Sequence, residues 1–326
     1  MSSRDGGAHS TPGDLLAGVG LLQHLSGRPC PVCGSVDQTR ELYPERIDPT
    51  RIDGMSYASR KEPEFMSLRM VVCPACDVLY APRIPSSIFL SSAYADTGYD
   101  SQAEADFAAA SYAEALRIRL DQLPDRSSAL DIGAGNGALL SHLRAFGFSE
   151  VVGIEPSRDA VNSATPDLRD LIRIESFDPS RLTHASFSLV IANQTLEHVG
   201  DPYQLLQGAH RLLKPGGALM IVSHNYRHWL MRLLGARSPI IDIEHLQVFS
   251  PASLRYALHL AGFQQIDVVP FANRYPLHYW TRLLPLPKAV KRPLYGWLRD
   301  GEHGRAGRGM LSASVGNMLA WASRSR

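Results

Sequence analysis

The sequence predicts an α/β protein with a small Cys-rich module in front. Three observations carry that reading. Between about residues 101 and 270, short Val/Ile/Leu runs alternate with amphipathic helical stretches, a glycine-rich turn follows the first such run, and two Cys-x-x-Cys pairs precede the alternation. Strands alternating with helices imply a mostly parallel sheet covered on both faces, with ligands bound beyond the carboxyl ends of the strands.

The elements follow in order. Residues 1–27 read as a polar, Gly/Ser-rich tail and a weak helix, and residues 28–90 as the Cys-punctuated module. A helical pattern at Glu104–Leu123 leads into residues 101–270. Strands are expected at Ala129–Ile132, Val151–Ile154, Leu171–Ile174, Phe187–Ala192, Ala218–Val222 and Gln265–Val269. Helices are expected between them at Ala138–Phe146, Arg158–Ser163, Tyr203–Leu213 and Pro251–Ala261. Residues 271–326 hold a Pro/aromatic/basic stretch and a final strand near Val315–Ala322.

Composition bounds the function. Of 326 residues, 44% are hydrophobic and 20% charged, and 33 basic side chains nearly balance 32 acidic ones. A net charge of +1 without a basic stripe speaks against nucleic acid as a partner. No run approaches the ~18–20 apolar residues of a membrane span, and the start lacks the basic flank and small-residue exit of a signal peptide. The expectation is a cytoplasmic protein, in which four cysteines point to metal and not to disulfides.

The run Leu130-Asp131-Ile132-Gly133-Ala134-Gly135-Asn136-Gly137-Ala138 follows a strand and opens a helix. Glycines there allow a tight turn and close approach of a ligand, and the helix N-terminus offers free N–H groups. Gly133, Gly135 and Ala138 also satisfy the dinucleotide fingerprint G-x-G-x-x-G/A, so the run alone does not choose a cofactor. Glu155 ends the second strand, where an acid can accept bonds from two ribose hydroxyls or cap the next helix. It supports a nucleoside without saying which.

Downstream signals make the choice. The glycine run, Gly153-Ile154-Glu155-Pro156, Leu196-Glu197-His198-Val199 and Leu213-Lys214-Pro215-Gly216-Gly217 occur in that order. Together they resemble the class I S-adenosylmethionine-dependent methyltransferases over residues 101–270. Asp131 would repel a pyrophosphate but suits the ammonium of a methionyl group. The resemblance implies a Rossmann-like sheet of seven strands with the last antiparallel. It implies that Asp131, Gly133, Gly135 and Gly137 line the methionyl moiety and that Glu155 holds the ribose. Phe177 and Asp178, in the loop after the third strand, would flank the adenine, with Ser176 competing for the role, and Asn193 would position the cofactor from the fourth strand's end.

In the module, Cys30-Pro31-Val32-Cys33 and Cys73-Pro74-Ala75-Cys76 each turn two thiolates toward one centre. Two such turns complete a tetrahedral S₄ site of the kind zinc favours. With all four positions filled by protein, the ion would be structural. Small-molecule and sugar methyltransferases with a similar Cys-rich module exist, and in them it packs on the catalytic domain.

Methyl transfer needs a base only when the acceptor arrives protonated. His198, just past the fourth strand, and His245, before the next helix, are the candidate bases, while His224 and Tyr226 follow the fifth strand directly. Residues 271–308 are expected to cover a small-molecule acceptor (a sugar, natural-product or lipid-linked intermediate), and their basic and Trp-rich pattern allows peripheral membrane contact. The alternatives are an RNA or protein methyltransferase that recognises its target through the module, and a non-catalytic protein that binds the cofactor. The sequence leaves oligomeric state open.

Overall fold

The computed structural model describes residues 25–325 apart from 54, 59–62, 96, 100–101, 285, 287 and 301–308. The tail and weak helix expected before residue 25 lie outside the described residues. Residues 25–27 form a strand instead of the end of that helix, because they pair with a later segment of the module.

The module comprises β1 (Leu25–Gly27), β2 (Arg40–Tyr43), β3 (Met70–Val72), β4 (Leu79–Tyr80), β5 (Arg83–Pro85) and α1 (Ser87–Ala95). β1 and β5 form an antiparallel ribbon, while β2, β3 and β4 form an antiparallel sheet. β3 is Met-Val-Val and wholly buried, as a strand covered on both faces must be.

Next come α2 (Gln102–Arg117), β6 (Ser128–Ile132), α3 (Ala138–Ala145), β7 (Glu150–Ile154), α4 (Arg158–Asn162), α5 (Pro166–Arg169), β8 (Ile172–Arg173) and β9 (Phe187–Ile191). They are followed by α6 (Pro202–Leu212), β10 (Leu213–His224), α7 (Trp229–Leu234), β11 (Gln247–Val248), α8 (Pro251–Leu260), β12 (Gln264–Pro276), α9 (Leu277–Leu283), α10 (Lys288–Asp300) and β13 (Met310–Ser323). The main sheet has seven strands in the order β12-β13-β10-β9-β6-β7-β8. Neighbours from β10 to β8 are parallel, and β13 runs antiparallel between β10 and β12. This is the Rossmann-like α/β sheet with one reversed last strand that the sequence leads one to expect.

Central strands β6 and β9 are buried at every residue, Ser128, Asp131 and Ser188 included, and their remaining residues are apolar, as strands covered on both faces require. One core cluster joins the β6/β9/β10 side chains to α6, α8 and the cysteine knuckles, a second joins the opposite face to α2 and α3, and a third packs the module against residues 226–248. Two differences from the sequence pattern matter for the site. β11 pairs with β4, so a segment from the middle of the main fold completes the module's sheet. β12 and β13 run past the sheet edge as a hairpin in which Tyr275 pairs with Leu311, so regular structure continues well beyond residue 270. Among the described residues, no helix is long and apolar enough to cross a membrane.

Candidate active site

A cavity of about 560 Å³ opens at the carboxyl ends of β6, β7, β9 and β10. That lies within the ~300–1,000 Å³ typical of small-molecule sites.

One half is made by the glycine turn. Gly133, Gly135 and Gly137 have φ of 80°, 56° and 75°, a left-handed region in which side chains are strained. A Cβ on Gly133 would sit 2.6 Å from the Thr195 hydroxyl, so that position is closed by protein. A Cβ on Gly135 would meet nothing within 4 Å; it would project into open space beside the cavity wall it forms. Glu155 braces this turn: Oε2 accepts the Gly135 N–H at 2.8 Å and Oε1 the Ser157 N–H at 2.8 Å. The cap of α4 is Ser157, not Glu155. Asp131 is buried at the end of β6 and lines the same wall. Asn193 fixes its carbonyl on the Val222 N–H at 2.8 Å, and its buried Nδ2 has no hydrogen-bond partner among the described residues. Gln194 beside it adopts φ 52°, a conformation that costs a non-glycine residue about 1–2 kcal/mol.

The opposite half gathers three histidines. The His198 and His245 rings lie 4.8 Å apart, and the His245 and His224 rings 5.2 Å apart. The His245 Nδ1–H points to the Ile240 carbonyl at 3.0 Å, and Nε2 lies 3.7 Å from a Glu244 oxygen. His198 Nδ1 is 3.4 Å from the Tyr94 hydroxyl, which also donates to the Glu244 carbonyl at 3.3 Å. Burial pushes the Tyr94 phenol well above its ordinary range, so it is a hydrogen-bonding group and not a base. His224 is wedged between β10 and β13, with Nδ1 2.8 Å from Asn317 Oδ1; burial lowers its pKa against the opposing pull of Glu197. Tyr275, Tyr279 and Trp280, from the hairpin and α9, close the cavity with a packed aromatic cluster.

The structure thus brings Asp131, Gly133, Gly135, Glu155, Asn193, His198 and His245 to the lining of one cavity. Gly137 does not reach that lining: it N-caps α3, with Ile172 3.0 Å from where its Cβ would be. Phe177 and Asp178 also stand apart from the lining. Phe177 packs against Gly208 of α6, and Asp178 caps a short 3-10 turn by accepting the Ser180 N–H at 2.9 Å. Sequence reasoning missed Tyr94 and Asn317, because no motif ties those segments to the glycine turn. The position of His224 at the end of β10 was the one local clue to it.

Away from this cavity, the four cysteines converge. Their Sγ atoms all lie within 4.8 Å of one another, with Cys30–Cys76 at 3.5 Å and Cys33–Cys73 at 3.6 Å. A tetrahedral site with 2.3 Å Zn–S bonds needs sulfur separations of about 3.8 Å, and disulfides need about 2.05 Å, so the cluster has the spacing of a metal site. A thiol hydrogen bond from Cys76 holds Cys30 down to about 5, and burial pushes Cys33 up to about 11.

Arg28 fastens this module to the histidine loops. Its guanidinium donates to the Ala81 carbonyl (2.9 Å), the Gly200 carbonyl (2.9 Å), the Leu246 carbonyl (2.7 Å) and Gln247 Oε1 (2.9 Å). Burial lowers its pKa to about 10, which leaves it charged at neutral pH. Gln247 in turn donates to the carbonyls of Leu196 and Val199, flanking His198, and the Leu246 N–H reaches the Glu197 carbonyl at 2.8 Å.

With that geometry in place, residues 99–268, more than half of the chain, match the family model described as a methyltransferase domain. The chain belongs to this methyltransferase-domain family, and its seven-stranded sheet with one reversed strand is the architecture that the resemblance to class I S-adenosylmethionine-dependent methyltransferases implies.

Curated relatives include a ubiquinone biosynthesis O-methyltransferase of Psychrobacter arcticus, 28% identical over 166 residues. That match covers 45% of this chain and 64% of the relative. A glycine/sarcosine/dimethylglycine N-methyltransferase of Actinopolyspora halophila is 27% identical over 203 residues, 59% of this chain and 35% of that protein. Among solved structures, a SAM-dependent methyltransferase from Archaeoglobus fulgidus aligns at TM-score 0.45 and 18% identity, over 66% of this chain and 94% of that one.

Proposed function

We propose that the protein methylates a small-molecule acceptor by in-line displacement, with a histidine of the His198/His224/His245 cluster receiving the acceptor's proton. The carrying observation is that the glycine turn and the three histidines face one cavity of small-molecule size. Bound S-adenosylmethionine supplies a methyl carbon on a sulfonium with a neutral thioether as leaving group.

The chain's residues suit that group. The turn leaves room at Gly135 for a ligand atom, Asp131 and Glu155 bring carboxylates to the cavity wall where a methionyl ammonium and a ribose would lie, and Asn193 Nδ2 is a buried donor with no partner among the described residues. His198 and His245 bound the acceptor side. The aromatic wall from Tyr275 to Trp280 excludes water there, which strengthens every polar contact within. Four thiols at tetrahedral spacing, three buried and Cys33 half-buried, support one structural zinc and a reducing, cytoplasmic setting.

The test is calorimetry with S-adenosylmethionine and its demethylated product, followed by a labelled-methyl screen of hydroxyl and amine acceptors. Micromolar binding of both nucleosides is expected. Tight binding of a nicotinamide dinucleotide, with no affinity for either nucleoside, overturns the reading.

A further inference from the structure

We propose that His224, held by Asn317, is the catalytic base that takes the proton from a hydroxyl on the acceptor. This rests on the methyltransferase reading and names the residue and acceptor group within it.

The three histidines differ in which ring nitrogen they leave available. His245 turns Nδ1 to the Ile240 carbonyl and Nε2 toward Glu244, so both of its nitrogens face its own chain. His198 has Nδ1 beside the Tyr94 hydroxyl. His224 has Nδ1 on Asn317 Oδ1 at 2.8 Å, and among the described residues nothing hydrogen-bonds its Nε2, although the residue lines the cavity. An amide oxygen at Nδ1 fixes the Nδ1–H tautomer and leaves the Nε2 lone pair for a donor in the cavity. Asn317 is His224's cross-strand partner in the β10–β13 ladder, so the pair is set by sheet register and not by a mobile loop.

Two titratable groups face this imidazole. His245 lies edge-on at 5.2 Å, from the segment before β11. Glu197, from the loop after β9, is fully buried; its Oε1 accepts the Ser223 hydroxyl and the backbone N–H of His224, both at 2.6 Å, and its Oε2 has no hydrogen-bond partner among the described residues. Burial keeps the imidazole neutral and ready to accept, while the Glu197 carboxylate stabilises the imidazolium that forms. This is the base-plus-orienter arrangement that general-base sites share, with Asn317 as orienter and Glu197 as counter-charge.

The step balances. The acceptor oxygen forms the new O–CH₃ bond as the S–CH₃ bond breaks, and the sulfonium charge is discharged to a neutral thioether. The hydroxyl proton passes to His224 Nε2 and leaves to water with the products. A neutral hydroxyl acceptor suits a wall whose described lining residues include no Lys or Arg to hold a phosphate.

The experiment uses the full-length, metal-loaded protein with ¹⁵N-labelled histidine and S-adenosylhomocysteine bound, with His224→Gln assigning the resonance. The expected spectrum shows a neutral Nδ1–H imidazole at pH 7.5 that titrates below 6.5. A neutral Nε2–H tautomer, or a ring already protonated at pH 7.5, overturns the proposal. In turnover with catechol as the hydroxyl probe, His224→Gln should lower kcat at least 100-fold with homocysteine-nucleoside affinity within threefold. Asn317→Asp, which places a carboxylate on Nδ1, should move the acid limb of the pH profile upward. A His224→Gln protein retaining half of wild-type kcat, or an acid limb unmoved in Asn317→Asp, overturns the role. The spectrum decides the assignment whether or not catechol turns over, and loss of nucleoside binding by the wild type would instead sink the methyltransferase reading.

Discussion

The two halves of the cavity are built in opposite ways. The half proposed for the cofactor comes chiefly from two consecutive strand ends, with Asn193 of the β9 end beside them: the β6–α3 turn carries Asp131, Gly133 and Gly135, and β7 ends at Glu155, which hydrogen-bonds back to that turn. The acceptor half takes Tyr94 from the module, His198 from the loop after β9, and His224 from β10. His245 comes from the segment before β11, Tyr279 from α9 and Asn317 from β13. The first half needs only local backbone geometry. The second exists only when distant segments are packed, and the cysteine module with Arg28 does much of that packing. Damage to the module should therefore separate acceptor chemistry from cofactor binding.

The largest separation is expected from the metal. Cys73→Ser removes one of four converging thiols, and structural zinc contributes about 10 kcal/mol or more to small sites. Loss of bound zinc, a melting temperature lower by 10 °C or more and abolished methyl transfer are expected from metal analysis, thermal melts and labelled-methyl assays. A protein that still melts like wild type without zinc would break the comparison.

Gly135→Val attacks the other half. It forces a β-branched residue to φ 56°, at a cost of about 1–2 kcal/mol, and fills space that the protein leaves open. Calorimetry should show at least a 100-fold loss of cofactor affinity in a protein that still folds and retains its zinc. Unchanged affinity would mean the open space at Gly135 belongs to something other than the cofactor.

Arg28→Met is the milder probe of the join. It strips four hydrogen bonds from a buried junction, and each stranded acceptor costs about 1–3 kcal/mol before water re-enters. Methyl transfer should fall roughly tenfold or more while calorimetry finds cofactor affinity within threefold. Equal losses in both would show that the module supports the whole sheet and not the acceptor half in particular.

The same contrast explains what was legible in the sequence. The glycine turn, Glu155 and the Cys pairs are local patterns in which spacing alone dictates geometry, so each stands out in the bare order of residues. Strands β6, β7 and β9 were legible because burial on both faces leaves short, mostly apolar segments around Ala129-Leu130, Val151-Val152 and Leu189-Val190-Ile191. β11 was not, because two residues, Gln247 and Val248, become a strand only by pairing with the module's β4. Nor was the hairpin beyond residue 270, whose outer residues alternate between buried and exposed around prolines that read as breaks. Phe177 fell to packing: its aromatic ring suits an adenine or a helix face equally well, and here the absent side chain of Gly208 leaves it a place on α6.

The smallest expected effect concerns acid. Burial lowers the pKa of His210, His224 and His228 below the ordinary 6.5. The unfolded chain then binds more protons than the folded one as pH falls through 6.5, so stability decreases with acid. These groups favour the fold fully above 6.5, and that contribution fades as pH drops toward their folded values. His224 is the one of the three in the acceptor half, so His224→Gln should remove up to one proton's worth of the slope of melting temperature between pH 7.5 and 5 while leaving the slope due to the other two. Melts of both proteins across that range check this. Parallel slopes would mean that His224 is as easily protonated in the fold as out of it, and that the acceptor half is wetter than its aromatic wall suggests.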